Sequence, residues 1–124
     1  MMPYERFEAW KLGHRLALAA FRVTESFPRR EWYGLGAQIR RAGFSVPSNI
    51  AEGSAKRGSR EFRRYLDISI GSLAELAYAL LLARDLGLLS RENWERIEAL
   101  RDRTGMMTWK LYEAVRRGAK LPTR

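Results

Sequence analysis

The 124-residue chain contains no cysteine and one histidine, His14. Without thiols there is no disulfide framework, no thiolate metal site and no cysteine nucleophile. A single histidine cannot supply the paired Glu-x-x-His motifs of a di-iron bundle, and no plausible Ser-His-Asp set is visible. No glycine-rich phosphate loop follows a strand, and no segment sustains the period-two alternation of a strand. The longest apolar stretch, Leu73 to Ala83, is interrupted by Glu75 and is too short to cross a bilayer. The opening MMPYERFEAW lacks the basic-then-apolar pattern of a secretory leader. These absences lead us to expect no enzyme, no metal, no cofactor, no membrane partner and a cytoplasmic location.

Lysine is also scarce. Of 23 cationic residues only four are lysine and 19 are arginine, against 14 acidic residues, for a net charge of +9. Arginine presents a planar, bidentate fork that suits phosphate, whereas lysine is a point charge. A small arginine-heavy chain therefore points to nucleic acid. A GC-rich genome or a hot habitat gives the same bias with the charge merely solvating the surface, so placement must decide.

Apolar spacing is helical throughout, and it predicts one all-α domain of four helices, over about 4–27, 31–55, 59–85 and 90–117. Pro28 stops the first. Gly53 and Gly58 bracket the second connection, with Ser59 as the expected N-cap of the third helix. Gly87 caps the C-terminus of the third helix, Ser90 caps the start of the fourth, and Gly118 to Arg124 read as a frayed tail. Short connections between long helices predict an antiparallel up-down-up-down four-helix bundle.

Helix three, and with it helix one, is apolar on more than one face. In LAELAYALLLA, Leu73 to Ala83, only Glu75 and the Tyr78 hydroxyl are polar. An outer face so apolar requires cover, which predicts a homo-oligomer. His14 sits on an apolar stripe and reads as a core or interface histidine.

The segment SVPSNIAEGSAKRGSREFRR, Ser45 to Arg64, carries the most information. Pro47 lacks an N–H for the carbonyl of Gly43, and a glycine there eases local packing, though a kink is expected. Leu35, Ile39, Ala42, Val46 and Ile50 keep helical phase across the proline. That favours one kinked helix over a new helix capped by Ser45 with Pro47 in its first turn. Ser45, Asn49 and Glu52 share a face at i, i+4, i+7, as do Ser72 and Glu75 at i, i+3 on helix three. Together they read either as a buried polar site between helices or as a structural tie. In the favoured structural reading, Asn49 and Glu52 secure the helix end and Glu75 pairs with an arginine.

The candidate nucleic-acid contacts are Arg40 and Arg41 on helix two, Lys56 and Arg57 in the connection, and Arg60, Arg63 and Arg64 at the start of helix three. Basic charge there opposes the helix macrodipole, so the cluster is not helix optimisation. Trp32, Tyr33, Phe62 and Tyr65 flank it as core, interface or base-stacking residues. A second basic group is Arg116, Arg117, Lys120 and Arg124. We expect it at the opposite end of the bundle, so that the two groups form no single patch in a monomer. A ring-shaped oligomer would repeat the first cluster into a dense positive surface.

SVPSNIAEG, followed by Glu61-Phe62, Tyr65-Leu66 and GSLAEL from Gly71 to Leu76, resembles the proteins encoded in intervening sequences of bacterial large-subunit ribosomal RNA genes. FEAWKLGHRLAL, Phe7 to Leu18, and FPRREWYGLGAQIRRA, Phe27 to Ala42, fit the same family. The resemblance implies antiparallel helices assembled as a homopentameric ring. It also implies kinship of fold with the accessory variability protein of diversity-generating retroelements, a basic pentamer that works with a reverse transcriptase and RNA. On that footing we expect a non-enzymatic RNA-binding protein. The alternative is a protein-interaction scaffold or accessory subunit of a reverse transcriptase or similar enzyme. A hydrolase using Asn49, Glu52 and Glu75 is the third reading. No catalytic residues follow from the resemblance.

Overall fold

The structure, a computed structural model, describes residues 2–121. A 3-10 turn, Pro3–Arg6, precedes α1 (Glu8–Val23), α2 (Arg29–Tyr33), α3 (Leu35–Ser54), α4 (Ser59–Asp85) and α5 (Arg91–Arg116). The described residues contain no strand. Four of these helices are long, and the chain is all-α.

Two hydrophobic clusters fix the topology. One joins Leu16 and Ala20 at the end of α1, Ile39 and Ala42 at the start of α3, Leu76 and Leu80 late in α4, and Ile97 early in α5. The other joins Phe7 and Ala9, Ile50 at the end of α3, Phe62 and Leu66 at the start of α4, and Leu111 and Val115 at the end of α5. Late residues of one helix thus meet early residues of the next, which is the up-down-up-down order. The largest fully buried side chains are Leu12, Leu16, Ile39, Ile50, Leu66, Leu76 and Leu80. Burying each contributes about 1.5–3 kcal/mol relative to exposure.

Both of the first two predicted helices are interrupted. Phe7 is extended (φ −79°, ψ 128°) and turns its ring into the core, so α1 starts at Glu8 rather than near Tyr4. Gly34 (φ −86°, ψ −101°) breaks the second, leaving α2 as a five-residue segment. Both interruptions sit inside a continuing helical spacing, which conceals them from periodicity. The α4 N-cap is Gly58 (φ 83°) and not Ser59, whose side chain makes no capping bond. Ser90 caps α5 as expected, accepting from the Asn93 amide at 3.1 Å. Gly87 ends α4 in a left-handed turn: the Leu88 amide reaches the Ala83 carbonyl and the Gly87 amide the Arg84 carbonyl, a Schellman motif.

Helix α3 runs unbroken through Pro47, so the one-helix reading stands. Gly43 serves a neighbour rather than the proline. A Cβ there would lie 2.7 Å from the Ala20 Cβ, so only glycine lets α1 pack this close. The Pro47 ring is buried and faces Gly13 of α1. Carbonyls beside the proline receive side-chain donors: Ser69 Oγ to Val46 O at 2.9 Å, and Asn49 Nδ2 to Ser45 O at 2.8 Å.

By length and composition α4 is apolar enough to cross a membrane, contrary to the reading from the Glu75-interrupted run Leu73–Ala83 alone. Its Gly, Ser and Ala residues extend the weakly polar window beyond that run. In this structure it is the core helix, packed on α3 and α5, with nine buried residues from Phe62 to Ala83. Its exposed positions include Asp67, Ile68, Gly71, Ala74, Glu75 and Tyr78. That outer face is mixed, and less apolar than the sequence suggested.

Candidate nucleic-acid interface

The polar residues around Pro47 separate into two groups. Ser72 Oγ on α4 donates to Ser45 Oγ at 2.7 Å, and Asn49 Nδ2 donates to the same oxygen at 2.9 Å. This tie joins α3 to α4 where the proline removes a backbone bond. Glu52 and Glu75 take no part in it. Both are exposed, and among the described residues neither carboxylate has a hydrogen-bond or ion-pair partner. The expected roles, Glu52 securing the helix end and Glu75 pairing with an arginine, are corrected accordingly. Seven residues along a helix carry Glu52 past the buried contact, and Glu75 sits on the outer face of α4.

The basic residues divide differently. Arg40 is engaged inside the molecule: its guanidinium donates to Thr24 Oγ1 and to the Trp32 carbonyl, both at 2.9 Å, and lies 3.8 Å from the Trp32 ring centroid. It pins α2 against α1 and α3. Arg41 is exposed beside Phe21 and Phe44. Both lie about 20 Å along α3 from its C-terminal end, at 1.5 Å rise per residue. Trp32 and Tyr33 belong to that far end too, packed edge to face at 4.9 Å.

Lys56, Arg57, Arg60, Arg63 and Arg64 cluster at the α3–α4 connection, and the second basic group joins them there. Phe62 and Leu66 share a cluster with Leu111 and Val115, so the end of α5 lies beside the start of α4. The expectation of opposite ends was a misreading of the topology. With α3 down, α4 up and α5 down, α5 finishes where α4 begins. Arg116, Arg117 and Lys120 are exposed on this end; Arg124 lies outside the described residues.

Two of these cations are matched by carboxylates. Arg64 Nε lies 3.1 Å from Glu61, and Arg116 Nη2 lies 3.0 Å from Glu113. The hydrogen bond from Arg116 holds the Glu113 carboxyl below the usual carboxylate range, so that pair persists into mildly acidic solution. Among the described residues, Lys56, Arg57, Arg60, Arg63, Arg117 and Lys120 have no carboxylate partner. Of the four flanking aromatics, Phe62 is core, and Tyr65 lies under Lys56 and Arg64 at 5.4 and 4.8 Å.

Two residues of this end were missed. Tyr112 of α5 lines a polar cleft of about 520 Å³ with Arg60, Glu61, Arg63, Arg64 and Asp67. Trp109, half exposed, stacks on it at 5.4 Å, the rings within 5° of parallel. Their i, i+3 spacing, one turn before Arg116, was the available signal.

A different surface is apolar. Tyr4, Trp10, His14, Leu18 and Phe21 meet Phe44, Pro47 and Ala51 in a groove of about 480 Å³ between α1 and α3. Phe21 is 49% and Phe44 61% exposed, so this face carries two large exposed aromatics on adjacent helices. His14 is not a core residue: it is exposed and stacks on Trp10, the rings 5.2 Å apart and within 3° of parallel.

A family model described as "23S rRNA-intervening sequence protein" matches residues 5–110. Among solved structures, a protein of unknown function from the S23 ribosomal protein family of Bacteroides thetaiotaomicron is similar. It has a TM-score of 0.79 and 19% identity, over 85% of this chain and 98% of that one. At that identity the likeness speaks for the fold alone. Among curated proteins nothing matches.

Proposed function

This chain belongs to the 23S rRNA-intervening sequence protein family, and from that premise we propose a non-enzymatic, cytoplasmic accessory protein whose basic end holds nucleic acid, RNA above all. The observation that carries the proposal is the convergence of both basic groups on one end, where six cations have no carboxylate partner among the described residues. Phosphate neutralised by such a surface releases counterions, which supplies affinity without sequence specificity. In the same reading the α1–α3 groove is covered by a second copy in a homopentameric ring, and assembly repeats the basic end around the axis.

Filter binding to structured RNA tests it. Affinity is expected to fall steeply with salt, and Arg60→Glu, Arg63→Glu and Arg64→Glu together are expected to abolish it. Unchanged affinity in that triple variant would overturn the proposal.

The exposed aromatics of the α1–α3 groove support a second reading, a scaffold that docks a protein such as a reverse transcriptase and has little nucleic-acid affinity of its own. A protein partner recovered from nuclease-treated lysate, together with no RNA binding by the pure protein, would favour it.

A further inference from the structure

The cleft between α4 and α5 combines features that a purely electrostatic surface does not need. Tyr112 forms part of its wall beside Arg60, Arg63 and Arg64, and Trp109 continues the aromatic surface outward as a parallel stack. Stacking on Tyr112 fixes the plane of the indole, yet Trp109 remains 53% exposed. A flat, exposed aromatic ring stacked on the wall of an arginine-lined cleft is an arrangement on which unpaired bases stack.

We propose that this cleft binds a single-stranded polynucleotide, with backbone phosphates on Arg60 and Arg63 and a base stacked on Trp109. The inference rests on the nucleic-acid reading above and narrows it to unpaired strands. Arg63 is already partly ordered, its Nε donating to the Ser59 carbonyl at 3.3 Å. Arg60 is exposed and has no carboxylate partner among the described residues. Arg64 is occupied by Glu61. Glu61 and Asp67 also line the cleft. They repel phosphate, so the backbone tracks the Arg60–Arg63 side, and the carboxylates face base or sugar donors. A duplex keeps its base faces inside the stack, so only an unpaired base can use the indole. RNA and DNA strands share this chemistry and differ in the 2′-hydroxyl.

The test uses fluorescein-labelled oligoadenylate, its deoxy counterpart and a matched duplex, with binding to the full chain read by anisotropy and by tryptophan quenching. Both single strands are expected to bind more tightly than the duplex, and a tighter ribo-strand would assign the 2′-hydroxyl a role. Trp109→Ala is expected to weaken single-strand binding about five- to hundredfold, the range of one aromatic–base stack. Trp109→Phe retains most of the affinity but loses the quenching, which guards against a folding defect in the alanine variant. Equal binding by the wild type and Trp109→Ala, with loss only in the triple Arg60, Arg63, Arg64 variant, would overturn the stacking inference and leave the electrostatic reading intact. So would equal affinity for duplex and strand. Failure of the wild type to bind any nucleic acid would remove both, and a protein ligand on Trp109 would then be the indicated alternative.

Discussion

A Cβ placed on Gly53 would lie 2.8 Å from the Cβ of Tyr65, closer than two such atoms come. The last turn of α3 and the start of α4 therefore meet through a glycine. The ring held at that crossing is the one beneath Lys56 and Arg64. Architecture and basic end share a residue here: the glycine that closes the NIAEG segment positions the aromatic on which two cations rest.

Gly53→Ala is accordingly expected to destabilise the fold by about 1–3 kcal/mol, because neither the Tyr65 Cβ nor the Phe62 carbonyl can swing away. Gly105→Ala is the control. Only the Arg101 guanidinium approaches there, at 3.9 Å, so alanine should stabilise the helix by about 0.5–1 kcal/mol. Urea denaturation of both variants decides whether glycine acts through contact or through mere helix weakening.

The hydroxyl tie predicts a contrast between neighbours. Ser72→Ala removes a part-buried donor from Ser45 and is expected to lower stability by about 1 kcal/mol. Glu52→Gln and Glu75→Gln, both on the exposed surface, should stay within about 0.5 kcal/mol of wild type. A large loss in either glutamine variant would restore the polar-site reading.

Arg40→Lys separates a structural arginine from a binding one. Lysine cannot make the paired bonds to Thr24 and Trp32 while lying over the indole. Thermal stability should fall by the equivalent of about 1–3 kcal/mol, with RNA affinity unchanged.

Four helices were legible because Ile39, Ala42, Val46 and Ile50, and their counterparts on α1 and α5, keep a 3.6-residue period whatever their neighbours do. The breaks at Phe7 and Gly34 were not legible: a single extended residue barely disturbs phase, and its cause lies in tertiary contact. Among the polar residues, hydrogen bonds join Ser45, Asn49 and Ser72, while exposure sets Glu52 and Glu75 apart from them. Arg40 looked like surface charge because the Thr24 and Trp32 acceptors lie 16 and 8 residues away. The shared end of the two basic groups was implicit in the antiparallel order itself.

The groove between α1 and α3 makes assembly testable without disturbing the core. Phe21→Ser with Phe44→Ser alters two exposed residues, so the helical content should persist while light scattering shows a ring becoming monomers. A wild type that is monomeric at micromolar concentration would contradict the ring.

The most direct test of the central claim compares the two ends of the bundle by charge reversal. RNA affinity is measured across a salt series for Arg116→Glu/Arg117→Glu/Lys120→Glu and, separately, for Arg29→Glu/Arg30→Glu/Arg41→Glu. Each lost phosphate contact flattens the logarithmic salt slope by about 0.7–0.9. The account predicts weaker binding and a flatter slope for the first variant, and wild-type behaviour for the second. Equal losses at both ends, or loss only at the second, would contradict it.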